Sequence, residues 1–483
     1  MKYDIVIIGG GLGGLTAGAK LAKEGKKVLL VEQHSQPGGC ATTFKRGDFI
    51  LEVGLHEMDG PSPRDMKTRI FNDLDVFKNV EFIRVPEFYR FINDRYSVTV
   101  PHEPEKAFET LSGLFPGEAT GIKAYFDQLL GPKKKPAEGA TPDKSVGEFL
   151  DSIIRNDDLK LILLGNLGYF HDDPYSLSLA YYTAAQAAYY SGGASYIKGG
   201  SQKLSDYLAA YLKNHGGEVL FNHIVTGISA AGSRATGVTY RKKSEPDSLV
   251  MTVEANEVIA NNSVMSSAGM LPEEYATELI RETASLKPGA SLLTIYLGFS
   301  RSLKELGNEY YSTALFDSSI KTIADIHGNN TSDISRRSFI FVDYGQIDSG
   351  LAPAGKSVGA ICCVDYLKDW DSLERSEYRA KKERTIAGFI ERLEKLIPGI
   401  TKAIEYSDAG TSATVKRYTL NPEGAVYGFA QTPSRMLFDS FKPIDNLHFA
   451  SAWGKTGGGF SGAIIGGYLT AWSILRRSQV RSS

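Results

Sequence analysis

Apolar positions recur along this chain in two rhythms, and the changes of rhythm mark its elements. Tyr3-Asp4-Ile5-Val6-Ile7-Ile8 is a β-branched apolar run, and Lys27 to Val31 repeats it; both read as buried strands with a helix between them. Phe49 to Leu55 reads as a third strand, leading to His56-Glu57. Glu81 to Val100 alternates apolar and polar residues, which predicts a hairpin turning near Asn93-Asp94. Helical spacing covers Ala107 to Leu130, broken at Pro116-Gly117, and returns from Gln202 to Asn214, closed by Gly216-Gly217. Between these, Leu177 to Tyr190 is apolar around most of its circumference, so that helix should be largely buried.

Strand-like runs follow at Glu218 to Phe221, Ile224 to Ile228, Ala235 to Tyr240, Leu249 to Glu254 and Val258 to Asn262, a meander that can return to the first sheet. Residues 270–414 mix helices with apolar strands at Ser291 to Phe299, Ser338 to Tyr344 and Val358 to Asp365, and a long helix is expected from Trp370 to Leu396. The chain closes with an apolar helix, Ala463 to Leu475. The pattern predicts an α/β fold: a discontinuous Rossmann-like domain from 1–75, 197–265 and 415–483, and a mixed α+β substrate domain from 76–196 and 266–414.

Composition narrows the classes. With 483 residues, 42% hydrophobic and 23% charged, the chain can build two or three sizeable cores. Its net charge of −2 argues against a nucleic-acid partner. Cys40, Cys362 and Cys363 form neither a disulfide framework nor a metal-ligand spacing, so no metal is expected. The first strand begins by Tyr3, and the apolar stretch 462–475 falls short of the roughly 20 residues of a spanning helix, so a cytoplasmic location is expected. Residues 131–145 are rich in Pro, Gly and Lys and read as a solvated loop; peripheral contact of Lys133 to Lys135 with an anionic membrane is the lesser reading.

The candidate chemistry lies at the first turn. Gly9, Gly11 and Gly14 form G-x-G-x-x-G between the two strands: the first glycine permits the tight turn, the second lets a pyrophosphate approach, the third lets helix and strand pack. Leu12 opens the helix, whose unpaired N–H groups face the phosphates. Glu32, with Gln33 beside it, ends the second strand, where a carboxylate can accept both ribose hydroxyls. The Gly38-Gly39-Cys40 doublet and its neighbour offer further backbone to the same ligand, which suits a long dinucleotide. Near the end, Gly458, Gly459, Phe460 and Ser461 form a glycine-rich loop at a helix N-terminus, another set of donors. Two decoys fall away there. Gly454-Lys455-Thr456 lacks the glycine of a P-loop, since Phe449 stands in its place, and Gly457-x-Gly459-x-x-Gly462 has no second strand after it.

Five blocks together resemble the family of phytoene desaturases, carotenoid isomerases and retinol saturases: the N-terminal fingerprint; Gly38 to Phe44 with Val53-Gly54-Leu55-His56; Tyr196 to Ser201; Arg417-Tyr418-Thr419-Leu420-Asn421-Pro422-Glu423-Gly424-Ala425-Val426-Tyr427-Gly428; and the C-terminal glycine-rich helix. Members usually carry an arginine where this chain has Cys40. The resemblance implies an FAD-dependent oxidoreductase acting on carbon–carbon double bonds of a lipophilic polyene or isoprenoid by desaturation, saturation or isomerisation. It also implies FAD contacts at Gly54 and Val225, and a ring flanked by His56, Glu57, Arg417, Tyr418 and Glu423 as candidate catalytic groups. Tyr181, Tyr182 and Tyr189 on the aromatic helix are candidate walls of a substrate cavity, weighed against a plain core role. Amine oxidation on the same scaffold and non-enzymatic prenyl-lipid carriage are the alternatives. No second complete fingerprint exists for a nicotinamide, and the electron donor or acceptor stays open.

Overall fold

The computed structural model describes residues 1–63, 65–132, 144–435 and 444–482, with side chains described as far as Arg477. Lys133 to Lys135, and with them the membrane-contact reading, lie outside the described residues. Two seven-stranded sheets carry the architecture. In the first, Lys2–Ile8 lies between Val28–Val31 and Met251–Ala260 and pairs with both in parallel. Glu218–Leu220 extends one side, Leu447–Phe449 also pairs with Met251–Ala260, and Arg234–Lys242 and His223–Ala231 continue as an antiparallel meander. The β-branched run buries both faces: Ile5 and Ile7 join one core, Val6 and Ile8 the other.

Small residues set how closely the helices cover this sheet. Helix Leu12–Lys23 is buried along its length against helices Gln202–Asn214 and Gly459–Ser482. A Cβ on Gly13 would stand 1.9 Å from the Ala450 carbonyl oxygen, and one on Gly467 would stand 2.1 Å from the Gly13 oxygen. The terminal helix therefore folds back directly onto the fingerprint helix.

The second sheet runs Ile404–Gly410, Ser291–Phe299, Ser357–Asp365, Phe339–Asp343, Ser312–Leu315, Tyr89–Ile92, Ser97–Val100. Its pairs are antiparallel except Ser312–Leu315 with Tyr89–Ile92. Cys362 and Cys363 are buried within it as free thiols. A three-stranded sheet, Met58–Asp59, Ala194–Ile197 and Phe82–Arg84, joins the two halves.

Several expected boundaries shift. The hairpin comprises only Tyr89 to Val100; Phe82–Arg84 pairs instead with Ile197, Tyr196 and Ser195, because Pro86, without an N–H, separates the runs. The long helix starts at Arg375, behind the Glu374/Glu377 capping box, rather than at Trp370. The terminal helix starts earlier than expected, at Gly459. Among the described residues no helix is long and apolar enough to cross a membrane.

Candidate functional site

A cavity of about 1490 Å³ runs from the C-terminal ends of the first two strands into the space between the two sheets. A single small-molecule site measures roughly 300–1,000 Å³, so this one can take an extended dinucleotide and a second ligand. Gly9, Gly11, Leu12, Glu32, Gln33, Gly38, Gly39, Cys40, Gly54 and Val225 line one end. Gly9 sits at φ +97°, open to glycine and strained for other residues. No side chain caps helix Leu12–Lys23, which leaves its first-turn N–H groups available. Gly14 does not face the cavity: it packs behind, where a Cβ would stand 2.4 Å from the Gly9 oxygen.

Glu32 is fixed by two backbone donors, Gly10 N–H at 2.6 Å to one oxygen and His34 N–H at 2.8 Å to the other. Each oxygen keeps a lone pair for a further donor. Gly38 N–H donates to the Gly10 carbonyl at 2.7 Å, which docks the doublet on the first turn. Burial pushes the Cys40 thiol up to about 11, so it stays neutral near pH 7. Behind this loop, buried Glu52 accepts from Gly54 N–H at 3.2 Å, Leu55 N–H at 3.1 Å, Ser201 N–H at 2.7 Å and Ser201 Oγ at 2.6 Å, and so ties Gly54 to the start of helix Gln202–Asn214. Gln33 Oε1 and Asn262 Nδ2, both in the cavity wall, are buried without a protein partner. A glycine cradle, open helix donors, a held carboxylate and orphaned polar atoms together fit a dinucleotide.

Gly458, Gly459, Phe460 and Ser461 enter the same cavity from the terminal helix. A Cβ on Gly458 would stand 2.4 Å from Tyr427 Cα, so backbone passes backbone here. The Ser461 hydroxyl donates to Asp59, which also holds Lys67. Burial works against the Lys67 ammonium, but Asp59 and Asp65 outweigh it and keep it charged.

The other end is walled by Tyr169, Tyr181, Tyr189 and Tyr427 with Ala184, Ala185 and Ala188. His56 and Glu57 reach it from the turn after the strand Phe49–Glu52. His56 Nδ1 lies 3.0 Å from the Tyr169 hydroxyl, and its Nε2 is buried without a partner. Burial lowers its pKa to about 4, so the ring is neutral near pH 7. Burial, then the charge of Glu87, raises Glu57 well above the carboxylate range, and its Oε2 has no partner. Burial thus favours the neutral form of the Glu57 carboxyl, in a largely apolar chamber.

Three expected placements need correction. Tyr182 does not line the cavity; it is fully buried, with its hydroxyl 2.9 Å from Tyr125 Oη and donating to the Leu163 carbonyl at 3.1 Å. Helix Leu179–Gly192 is covered on both sides, so its tyrosines divide between core and cavity. Arg417 and Tyr418 lie at the mouth, beside the end marked by Glu32. The Tyr418 carbonyl accepts from Gln33 Nε2 at 3.1 Å, its ring is 49% exposed, and Arg417 donates to its hydroxyl at 2.9 Å. Their helix, Ser412–Thr419, ends at Leu420 with φ +59° and keeps this turn on the surface. Glu423 is exposed and outside the cavity. Tyr169, Tyr427, Lys67, Asp59 and Asn262 were not singled out from the sequence; two carried a signal, Tyr427 inside the block Arg417 to Gly428 and Asn262 just past the strand Met251–Ala260 that pairs in parallel with the first.

The family described as flavin containing amine oxidoreductase matches residues 12–475. An all-trans-retinol 13,14-reductase of Danio rerio is 26% identical, over 99% of this chain and 88% of that protein. A chloroplastic prolycopene isomerase of Daucus carota is 28% identical, over 92% of this chain and 76% of that protein. Among solved structures, an oxidoreductase from Methanosarcina mazei superposes with a TM-score of 0.69 at 17% identity, covering 99% of this chain and 100% of that one. Wild-type putrescine oxidase bound to putrescine superposes with a TM-score of 0.66 at 16% identity, covering 99% of each chain.

Proposed function

This chain belongs to the flavin-containing amine oxidoreductase family and is an FAD-dependent oxidoreductase of α/β fold, and we propose that its substrate is a lipophilic polyene or isoprenoid altered at a carbon–carbon double bond. The observation that carries the proposal is the second half of the cavity. It is walled by tyrosine rings and alanine methyls; burial leaves the His56 imidazole neutral at pH 7 and favours the neutral form of the Glu57 carboxyl. A long hydrocarbon offers few groups to hydrogen-bond, so such a chamber holds it mainly by area, about 25 cal/mol per Å² buried. The relatives named for retinol and prolycopene support the same substrate class.

FAD, when bound, supplies the hydride and electron chemistry. Gly9, Gly11, Leu12 and Gly39 would take its pyrophosphate, Glu32 its ribose, and Gly458 to Ser461 its ring system. Asp59 and Lys67 hold Ser461, and Glu52 holds Gly54, so both sides of the cofactor end rest on buried polar clusters. Tyr181, Tyr189 and Tyr169 would position the hydrocarbon. Glu57 would donate or receive the proton that accompanies change at the double bond, with His56 orienting Tyr169. The cofactor unit is assigned to 1–75, 197–265 and 415–483 and the substrate unit to 76–196 and 266–414, because every strand of each seven-stranded sheet falls in one set.

The test is anaerobic incubation of oxidised and of reduced enzyme with carotenoids, retinoids and amines, followed by product analysis. Conversion of a polyene in either state is expected. Rapid bleaching of oxidised flavin by an amine, with every polyene unchanged, would replace this reading by amine oxidation.

A further inference from the structure

We propose that Tyr169 and Leu292 are the end wall of the substrate chamber and set the length of hydrocarbon it accepts. This rests on the reading that an apolar chain occupies the chamber. A second cavity, of about 40 Å³, lies behind that wall, and Tyr169 and Leu292 are the two residues that line both spaces. Strand pairing shows why the two spaces are neighbours. Leu292 and Thr294, in the main cavity, stand opposite Val364 and Cys362, in the second, and Cys362 stands opposite Ile340 in turn. Directly opposed residues of an antiparallel pair share a face. Both spaces therefore lie on one face of the second sheet, with Leu292 on the boundary between them.

Tyr169 supplies the rest of the wall. It ends the 3₁₀ turn Leu167–Tyr169, and its hydroxyl lies 3.0 Å from His56 Nδ1, which ties the ring to the turn that carries His56. Behind the ring the chain is built small: a Cβ on Gly168 would meet only Val364 Cγ2, at 4.0 Å. Phe316, Phe339 and Ile340 complete a largely apolar lining. Beyond Tyr169 and the thiols, its polar side chains are Asn330 and Ser338, and both are engaged. Asn330 Nδ2 donates to the Asp172 carbonyl at 2.8 Å, and Ser338 Oγ accepts from the Asp317 N–H at 3.0 Å. A buried water needs about two to four polar partners, so this space favours hydrocarbon over water. With the wall in place a chain stops at the Tyr169 ring. With Leu292 cut back, its end passes beside the ring into the second space.

Flavin-loaded enzyme is titrated with straight-chain alkanols of increasing length, and affinity is read by calorimetry. In wild type each added methylene should tighten binding about four-fold until the methyl end reaches Tyr169, where the gain stops. Leu292→Ala should move that stop to a longer chain by at least one carbon. Leu129, which lines the main cavity alone, is the control: Leu129→Ala should weaken binding without moving the stop. A stop that Leu292→Ala leaves in place, or that Leu129→Ala moves as far, overturns the end wall, as does a wild-type series with no binding or no stop. Should Leu292→Ala not fold, Leu292→Val opens the wall less and should move the stop less; an unmoved stop again overturns the proposal. Alkanols have no double bond to convert. A moved stop beside a failed polyene assay therefore removes the substrate reading and leaves the wall, and an unmoved stop beside polyene turnover does the reverse.

Discussion

The two ends of the cavity are built on opposite principles. At the glycine end, backbone does the recognition, and side chains are mostly removed so that a ligand and three helices can approach within contact distance. At the tyrosine end, side chains fill the wall and the backbone is hidden behind rings. The first end carries a carboxylate, Glu32, held by two amides; the second carries an acid, Glu57, whose buried Oε2 has no partner and whose neutral form burial favours. The same functional group thus serves as a fixed acceptor or as a proton source, according to whether donors or apolar walls surround it.

If the glycine end depends on close approach, filling it should have the largest effect. Gly13→Ala places a methyl 1.9 Å from the Ala450 carbonyl oxygen, and backbone cannot swing aside. Overpacking of this kind costs about 1–3 kcal/mol or more. The variant should purify colourless or nearly so and melt earlier, read as flavin absorbance per chain and as Tm. A fully yellow protein with wild-type Tm would show the cradle to be looser than its geometry implies.

At the other end, Glu57→Gln keeps shape and removes the proton. Turnover of a polyene should fall about 10²-fold or more, the usual range for a lost general acid, with KM and flavin content little changed. A fall in flavin content instead would make Glu57 part of the cofactor end. Glu32→Ala is the mirror experiment. Loss of a charged acceptor for buried hydroxyls costs roughly 1.5–3 kcal/mol, or about 10- to 100-fold in FAD affinity, measured by titrating the apoprotein. Turnover at saturating FAD should remain.

The two ends also differ in how far they can be read in the sequence. Gly9 to Gly14, Glu32 and Gly38-Gly39 act over a few dozen consecutive residues, so strand period, turn glycines and spacing reveal them together. The tyrosine end is assembled from distant turns. Tyr169 comes from a single 3₁₀ turn and Tyr427 from an irregular stretch; neither has a period or spacing that ties it to His56. Helix Leu179–Gly192 shows the limit most plainly. Its position and burial are legible from an all-round apolar pattern. Which tyrosine faces the cavity is not, because helix Ala119–Leu130 covers the other side and claims Tyr182. Arg417 and Tyr418 likewise sit in a recognisable block, yet the left-handed turn at Leu420 that leaves them at the mouth has no glycine to announce it.

That division of the tyrosines is itself testable. Tyr182→Phe strands the Tyr125 hydroxyl and should lower stability by about 1 kcal/mol, with substrate KM unchanged. A shifted KM with unchanged stability would move Tyr182 back into the wall.

The smallest effect separates His56 from Glu57, which are adjacent in sequence but at opposite risk from pH. Folding depresses the His56 pKa from 6.5 to about 4, so between those values the unfolded chain binds a proton the folded one refuses. Its contribution to stability is therefore complete above pH 6.5, shrinks as pH falls, and is gone once pH passes below about 4. Glu57 runs the other way. Its folded pKa lies above 4.5, so its contribution is complete below that value and is lost as pH rises through the raised pKa. Glu57 titrates alike in wild type and in a His56 variant, so comparing the two from pH 7 to pH 6 isolates the start of the histidine limb, a change of under about 1 kcal/mol. Denaturant melts of wild type and His56→Gln at those two pH values should differ by that amount, with the variant the less acid-sensitive. If both lose stability equally, His56 is solvated through the cavity rather than sealed against Tyr169, and the tyrosine end is wetter than its wall suggests.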